Sequence, residues 1–291
     1  MSEPMKLHAR VAAPLKEVHQ ALTDPEALRT WLAEHAEVDL PHRYEFWGRH
    51  TPEGEAPHQR PLHVDEHTLR FSWLLDGEET TVEFHLEEEG DGSTVVSLSQ
   101  SHFDFQDVIS GASVRGVLQT FWALSIANLV DYLEGRELTS KCDFTSPELR
   151  GQFLIDASPE AVYDSLVDSE KASRWFGYPI GIEPHVGGRF AMGGLDAGPA
   201  AKIIDLEPGR TMSVDWDTVG VTTWELEESD GRTRLTFMQS GFDTRRPPYP
   251  AWNGWLSGMA ELRRFHELAD WRPIWIATDT AGAPEEVTAT G

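Results

Sequence analysis

The same pattern of residues occurs twice in this chain. Residues 11–32 read VAAPLKEVHQALTDPEALRTWL, and residues 155–176 read IDASPEAVYDSLVDSEKASRWF, a match that needs no gap. A second match lies further along, where residues 92–104 read GSTVVSLSQSHFD and residues 231–243 read GRTRLTFMQSGFD. The separation along the chain between the two occurrences of each pattern is far longer than the roughly 20–50 residues of a solenoid unit, so the repeat indicates a duplicated domain.

The length agrees with two domains, because 291 residues divide into two units near the usual size of about 150 residues. We predict a first domain at residues 1–138, called the first copy, and a second at residues 150–275, called the second copy. A linker is predicted at residues 139–149. Residues 276–291 are predicted to form a disordered tail, since a segment rich in Thr, Ala, Gly, Pro and Glu cannot build a packed core.

The chain is strongly acidic, with 49 Asp and Glu against 24 Lys and Arg and a formal net charge of -25. Binding to a phosphate backbone needs clustered Lys and Arg, so we predict no nucleic-acid partner and no membrane partner. The sequence shows neither a signal-peptide pattern nor an apolar run long enough to span a bilayer. The single Cys142 cannot form an internal disulfide, and we expect a cytoplasmic protein.

Both copies have the same predicted order of elements: a strand, two short helices, several antiparallel strands and a long C-terminal helix. In the second copy Leu235 and Phe237 alternate with polar neighbours, as in a sheet with one solvated face. Trp255, Met259 and Leu262 recur at helical spacing. The pattern predicts the α+β class, with a long helix against the concave face of a curved antiparallel sheet.

Several runs of the second copy resemble a known family. They are HVGGRF at 185–190, IIDLEPGR at 203–210, VDW at 214–216, TRLTFMQSGF at 233–242 and GW at 254–255. In this order they resemble the heat-shock ATPase activator-like branch of the START, or Bet v 1-like (SRPBCC), superfamily. The resemblance implies two tandem helix-grip domains, each a curved antiparallel sheet wrapped around a long C-terminal helix with a cavity between them.

The resemblance also implies candidate site residues, which are mostly aromatic, as the linings of small-molecule pockets generally are. In the second copy they are Trp175, Phe190, Met192, Trp216, Trp224, Phe237, Gln239, Trp255, Met259 and Leu262. In the first copy they are Trp31, Phe46, Trp73, Phe84, Gln100, Trp122 and Ile126. Each aromatic residue has the alternative of simply filling the core. No metal-ligand spacing, phosphate loop or nucleophile motif occurs, so no metal, cofactor or catalytic residue is predicted.

Members of this superfamily have three kinds of function, and all three stay open here. Many bind apolar or aromatic small molecules, and some resemble actinomycete proteins that protect against enediyne natural products. Others act as polyketide cyclases or aromatases, and one branch stimulates a chaperone ATPase. We favour noncatalytic binding of a polyketide or similar molecule for sequestration, self-resistance or biosynthetic transfer, because no titratable residue is clearly placed in the cavity. A protein partner is left open.

Overall fold

A computed structural model describes residues 4–90, 92–101 and 114–276 of the chain. The predicted tail, apart from Ile276, lies outside these residues. The two copies are both present as α+β units, each with antiparallel strands and a long C-terminal helix. No helix within the described ranges is long and apolar enough to cross a membrane.

The first copy forms a five-stranded antiparallel sheet in the order β1-β7-β6-β5-β4, with the hairpin β2-β3 apart from it. Its elements are β1 Met5–Val11, α1 Leu15–Thr23, α2 Pro25–Trp31, β2 His35–Asp39, β3 Arg43–Trp47, β4 Gln59–Val64, β5 Thr68–Leu75, β6 Glu78–Glu88, β7 Thr94–Gln100 and α3 Leu118–Leu133.

The second copy forms a seven-stranded antiparallel sheet in the order β8-β14-β13-β12-β11-β10-β9. Its elements are β8 Leu149–Ile155, α4 Pro159–Val167, α5 Ser169–Phe176, β9 Ile180–Ile182, β10 Arg189–Met192, β11 Ala201–Glu207, β12 Thr211–Asp215, β13 Val221–Ser229, β14 Arg232–Ser240 and α6 Tyr249–Glu267. Leu149, the last residue of the predicted linker, therefore begins a strand.

The repeated aspartate caps the second helix of each copy. Asp24 Oδ1 accepts hydrogen bonds from the backbone N–H groups of Glu26 and Ala27 at the start of α2. Asp168 Oδ1 accepts from the N–H of Lys171 at the start of α5. A side chain that satisfies these free N–H groups fixes where the helix begins.

The repeated tryptophan joins the two short helices of each copy. Trp31 Nε1 donates to the carbonyl oxygen of Ala21 at 3.0 Å, and Trp175 Nε1 donates to that of Ser165 at 2.8 Å. Both indoles are buried. A buried indole N–H needs an acceptor, so the same side chain packs the core and sets the angle between the helices.

The long helices α3 and α6 pack against each other and join the two copies. Leu124 of α3 belongs to the core of the second copy, while Ala260 of α6 belongs to the core of the first. A Cβ atom at Gly254 would lie 3.4 Å from Thr120 Cγ2, so the helices come close at this point. Each core therefore includes a residue of the other copy.

A buried charge cluster lies at the same interface. Asp131 of α3, with no exposed surface, accepts hydrogen bonds from Arg264 Nη1 at 2.7 Å and Arg263 Nη2 at 3.0 Å on α6. Arg136 Nη2 donates to Glu267 Oε2 at 2.5 Å across the interface. Buried ions are tolerated only when they are paired, so this cluster specifies how the helices meet.

The end of the second copy extends the sheet of the first. Residues 274–276, called the C-terminal strap, run antiparallel to the outer strand β1. The N–H of Arg10 donates to Ile274 O at 2.8 Å, and the N–H of Ile276 donates to His8 O at 2.9 Å. The strap covers backbone groups that an edge strand would otherwise present to solvent.

We predict that Asp131→Asn lowers the free energy of unfolding by about 3–5 kcal/mol, because it leaves Arg263 buried without its carboxylate and Arg264 with Glu134 alone. Urea unfolding followed by circular dichroism measures this loss. The control is Glu207→Gln, which removes an exposed partner of Arg210 and should cost less than about 1 kcal/mol. Equal losses in the two variants would contradict the assignment of this cluster as the interface contact.

Candidate ligand-binding site

The second copy contains an open cavity of about 350 Å³ beside its long helix. The residues that line it are uncharged and mostly apolar. They are Thr120, Phe176, Met192, Trp216, Val219, Gln239, Pro250, Ala251, Gly254 and Trp255.

The cavity lies where the N-terminal half of α6 faces the ends of several strands. Met192 ends β10, Trp216 follows β12, and Gln239 lies near the end of β14. Phe176 ends α5 and Thr120 belongs to α3 of the first copy. The first copy therefore contributes a wall to the cavity of the second.

Aromatic rings form the inner wall of the cavity. The ring centroid of Trp255 lies 5.8 Å from that of Trp216, 5.4 Å from Phe176 and 5.1 Å from Trp224. Phe176 can approach α6 because a Cβ atom at Gly258 would lie only 2.8 Å from its ring. Aromatic pairs at these separations and tilts are favourable, so the rings stabilise one another in the wall.

One side chain in the lining has an unused hydrogen-bonding atom. Gln239 is 4% exposed, and its Nε2 donates to the carbonyl oxygen of Val219 at 3.0 Å. Its Oε1 is buried and has no partner among the described residues. Trp216 Nε1, by contrast, donates to Thr222 Oγ1 at 2.8 Å.

The structure brings four of the predicted second-copy residues to this cavity: Met192, Trp216, Gln239 and Trp255. The other six lie in the buried core: Trp175, Phe190, Trp224, Phe237, Met259 and Leu262. Sequence reasoning missed the remaining lining residues. Phe176, next to the repeated Trp175, was the one with a signal, whereas Thr120 comes from the other copy.

The seven predicted residues of the first copy are all buried: Trp31, Phe46, Trp73, Phe84, Gln100, Trp122 and Ile126. The Trp122 ring centroid lies 5.5 Å from that of Phe84 and 5.9 Å from that of Trp73. Trp122 Nε1 also donates to Gln100 Oε1 at 2.7 Å. In this copy the long helix is therefore joined directly to the sheet by a hydrogen bond.

A second cavity of about 300 Å³ lies between the copies and shares Thr120, Phe176 and Gly254 with the first cavity. Its lining includes Glu261 of α6, a carboxyl group that is only 2% exposed. Burial raises the pKa of Glu261 to about 7, although the N–H of Ile274 donates to its Oε1 at 2.8 Å. This group lies under the C-terminal strap.

The fold and the repeat agree with a comparison against protein families. The model described as "Activator of Hsp90 ATPase homolog 1-like protein" matches residues 12–134 and again residues 156–267. The chain belongs to this family. The two matched segments fall on the two copies, so this family member is a tandem of two such domains. A search of curated protein sequences found no match.

Several solved structures are similar to this family member. CalU16 from Micromonospora echinospora is 24% identical over 46% of this chain and 76% of its own, with a TM-score of 0.37. DynU16, a protein of the dynemicin biosynthetic locus, is 19% identical over 91% and 100%, with a TM-score of 0.36. The Aha1 dimer from Colwellia psychrerythraea is 20% identical over 43% and 98%, with a TM-score of 0.38. At these values the structures say nothing about what this chain binds.

Within the part of the chain that the structure describes, no group of three or more His, Cys, Asp or Glu side chains could hold a metal ion. Cys142 is a buried free thiol, and burial raises its pKa to about 12. A thiol with so high a pKa is a poor nucleophile and a poor metal ligand at neutral pH.

We predict that Glu261 makes stability fall as the pH rises from about 4.5 to 7. The native state keeps a proton in this window that the unfolded chain, with the ordinary pKa of 4.5, has released, so ionisation costs the native state about 3 kcal/mol by pH 7. Glu261→Gln should remove this slope. Urea unfolding at a series of pH values measures it, and the exposed control Glu207→Gln should keep it. An unchanged slope in Glu261→Gln would contradict the assignment.

Proposed function

We propose that the second copy binds an apolar or aromatic small molecule in the cavity beside α6, without catalysing a reaction. The observation that carries this proposal is the lining itself: rings of Trp216, Trp255 and Phe176 with one carboxamide, Gln239. Pockets for small ligands generally combine an apolar wall with a few polar groups that orient the ligand.

The absence of charge in the described lining supports binding over acid–base chemistry. A cyclase or aromatase would need a titratable side chain within hydrogen-bond reach of its substrate. The ten described lining residues include no Asp, Glu, His, Lys, Arg, Cys or Tyr. A chaperone-activating role would depend on the surface, and the observed cavity is no argument for it.

The proposal that the ligand is a polyketide or a similar molecule rests on the resemblance of residues 185–255 to START-like proteins. In this proposal the protein holds such a molecule for sequestration, self-resistance or biosynthetic transfer. A cytoplasmic location belongs to the same proposal, and the free thiol of Cys142 suits a reducing compartment. The first copy then acts as a partner that supplies Thr120 and the helix contact.

The proposal is tested with N-phenyl-1-naphthylamine, an uncharged aromatic probe whose fluorescence rises in apolar surroundings. Ala251→Trp places a ring in the cavity and should weaken binding at least about tenfold, because losing roughly 60 Å² of apolar contact costs about 1.4 kcal/mol. Ala123→Trp fills the neighbouring cavity and should leave binding unchanged.

Fluorescence titration of the full chain and both variants gives the dissociation constants. Circular dichroism confirms that the variants are folded. No saturable binding by the wild-type chain, or an equal loss in both variants, would overturn the proposal.

A further inference from the structure

The central tryptophans of α3 and α6 occupy equivalent positions in the two copies. Trp122 packs edge-on against Phe84, and Trp255 packs edge-on against Trp224, with an interplanar angle of 82° in both cases. The contacted ring lies on the strand next to β7 or β14 in the sheet. The same helix-to-sheet contact therefore exists twice.

The glutamines near these tryptophans are equivalent as well. Phe84 pairs with Leu98, two residues before Gln100. In the second copy Trp224 pairs with Phe237, two residues before Gln239. Gln100 and Gln239 thus lie at the same position of the sheet, both buried.

The nitrogen atom of each carboxamide donates to an acceptor near the start of the neighbouring strand. Gln100 Nε2 donates to Thr80 Oγ1 at 3.2 Å, and Gln239 Nε2 donates to Val219 O at 3.0 Å. A carbonyl oxygen only accepts, so the nitrogen of Gln239 must face Val219 and its Oε1 must face away.

The oxygen atoms of the two carboxamides differ in their hydrogen bonds, and the residue whose oxygen atom is unpaired among the described residues lines the cavity. Gln100 Oε1 accepts the indole N–H of Trp122 at 2.7 Å. Among the described residues, Gln239 Oε1 has no hydrogen-bond partner. The N–H of Trp255 likewise forms no hydrogen bond with any of them. Both Gln239 and Trp255 line the cavity. The hydrogen bond that joins the long helix to the sheet in the first copy is thus not formed between the equivalent residues of the second copy.

We propose that the second copy selects ligands that carry a hydroxyl group, which bridges Gln239 Oε1 and the indole N–H of Trp255. This inference rests on the proposed binding function. A buried acceptor without a partner costs free energy that a donor from the ligand recovers. A hydroxyl group donates and accepts at once, so it serves both atoms, whereas an ether or a ketone serves only the indole N–H.

The test compares two aromatic probes, 2-naphthol and 2-methoxynaphthalene, which differ in the O–H donor. One net hydrogen bond corresponds to a preference of about fivefold for 2-naphthol in the wild-type chain. Gln239→Leu should reduce the preference to about one while 2-methoxynaphthalene still binds. The matched control, Gln100→Leu, changes the equivalent residue of the first copy and should keep the preference.

A second measurement does not depend on the folding of Gln239→Leu. The indole N–H resonance of Trp255, assigned by its loss in Trp255→Phe, should shift more with 2-naphthol than with naphthalene. Equal affinities of the wild-type chain for 2-naphthol and 2-methoxynaphthalene would overturn the inference and leave the proposed function standing. A preference that survives in Gln239→Leu would overturn it too. Failure of every probe to bind would defeat the proposed function as well.

Discussion

The contact between the two long helices is the constraint on which the rest of the structure depends. Helix α3 is buried along nearly its whole length, since Trp122 and Ile126 lie in its own core while Leu124 lies in the core of the other copy. A helix that is apolar on all sides is stable only when it is covered on all sides. Asp131 adds a buried charge that pairs with Arg263 and Arg264 of α6 as well as with Arg136, so part of its neutralisation comes from the other copy.

Because the long helices pack together, both copies contribute to the wall of the cavity in the second copy. Thr120 reaches the cavity because Gly254 lets α3 approach α6, and Phe176 reaches it because Gly258 leaves room for its ring. The duplication therefore has a structural consequence, because the first copy supplies part of the wall of a cavity in the second copy. Two copies with one fold have unequal parts in the proposed function.

Local signals in the sequence were sufficient for the fold. The capping residues Asp24 and Asp168 act within three positions along the chain, and the alternation around Leu235 follows from the two faces of a strand. The cavity was harder to predict. Aromatic content indicated Trp216 and Trp255 as well as Phe237, yet nothing in the pattern separates a ring that faces a void from a ring packed in the core.

The sequence by itself determined the duplication, the order of elements and the family, because these depend on short-range spacing that recurs in both copies. Only the tertiary structure decided that Gln239 and Trp255 line a cavity. Gln100 and Trp122 meet across 22 residues, while Gln239 and Trp255, the same residue types in equivalent places, do not bond. That outcome depends on how a helix and a sheet pack together with a neighbouring helix, which residue identity alone does not specify.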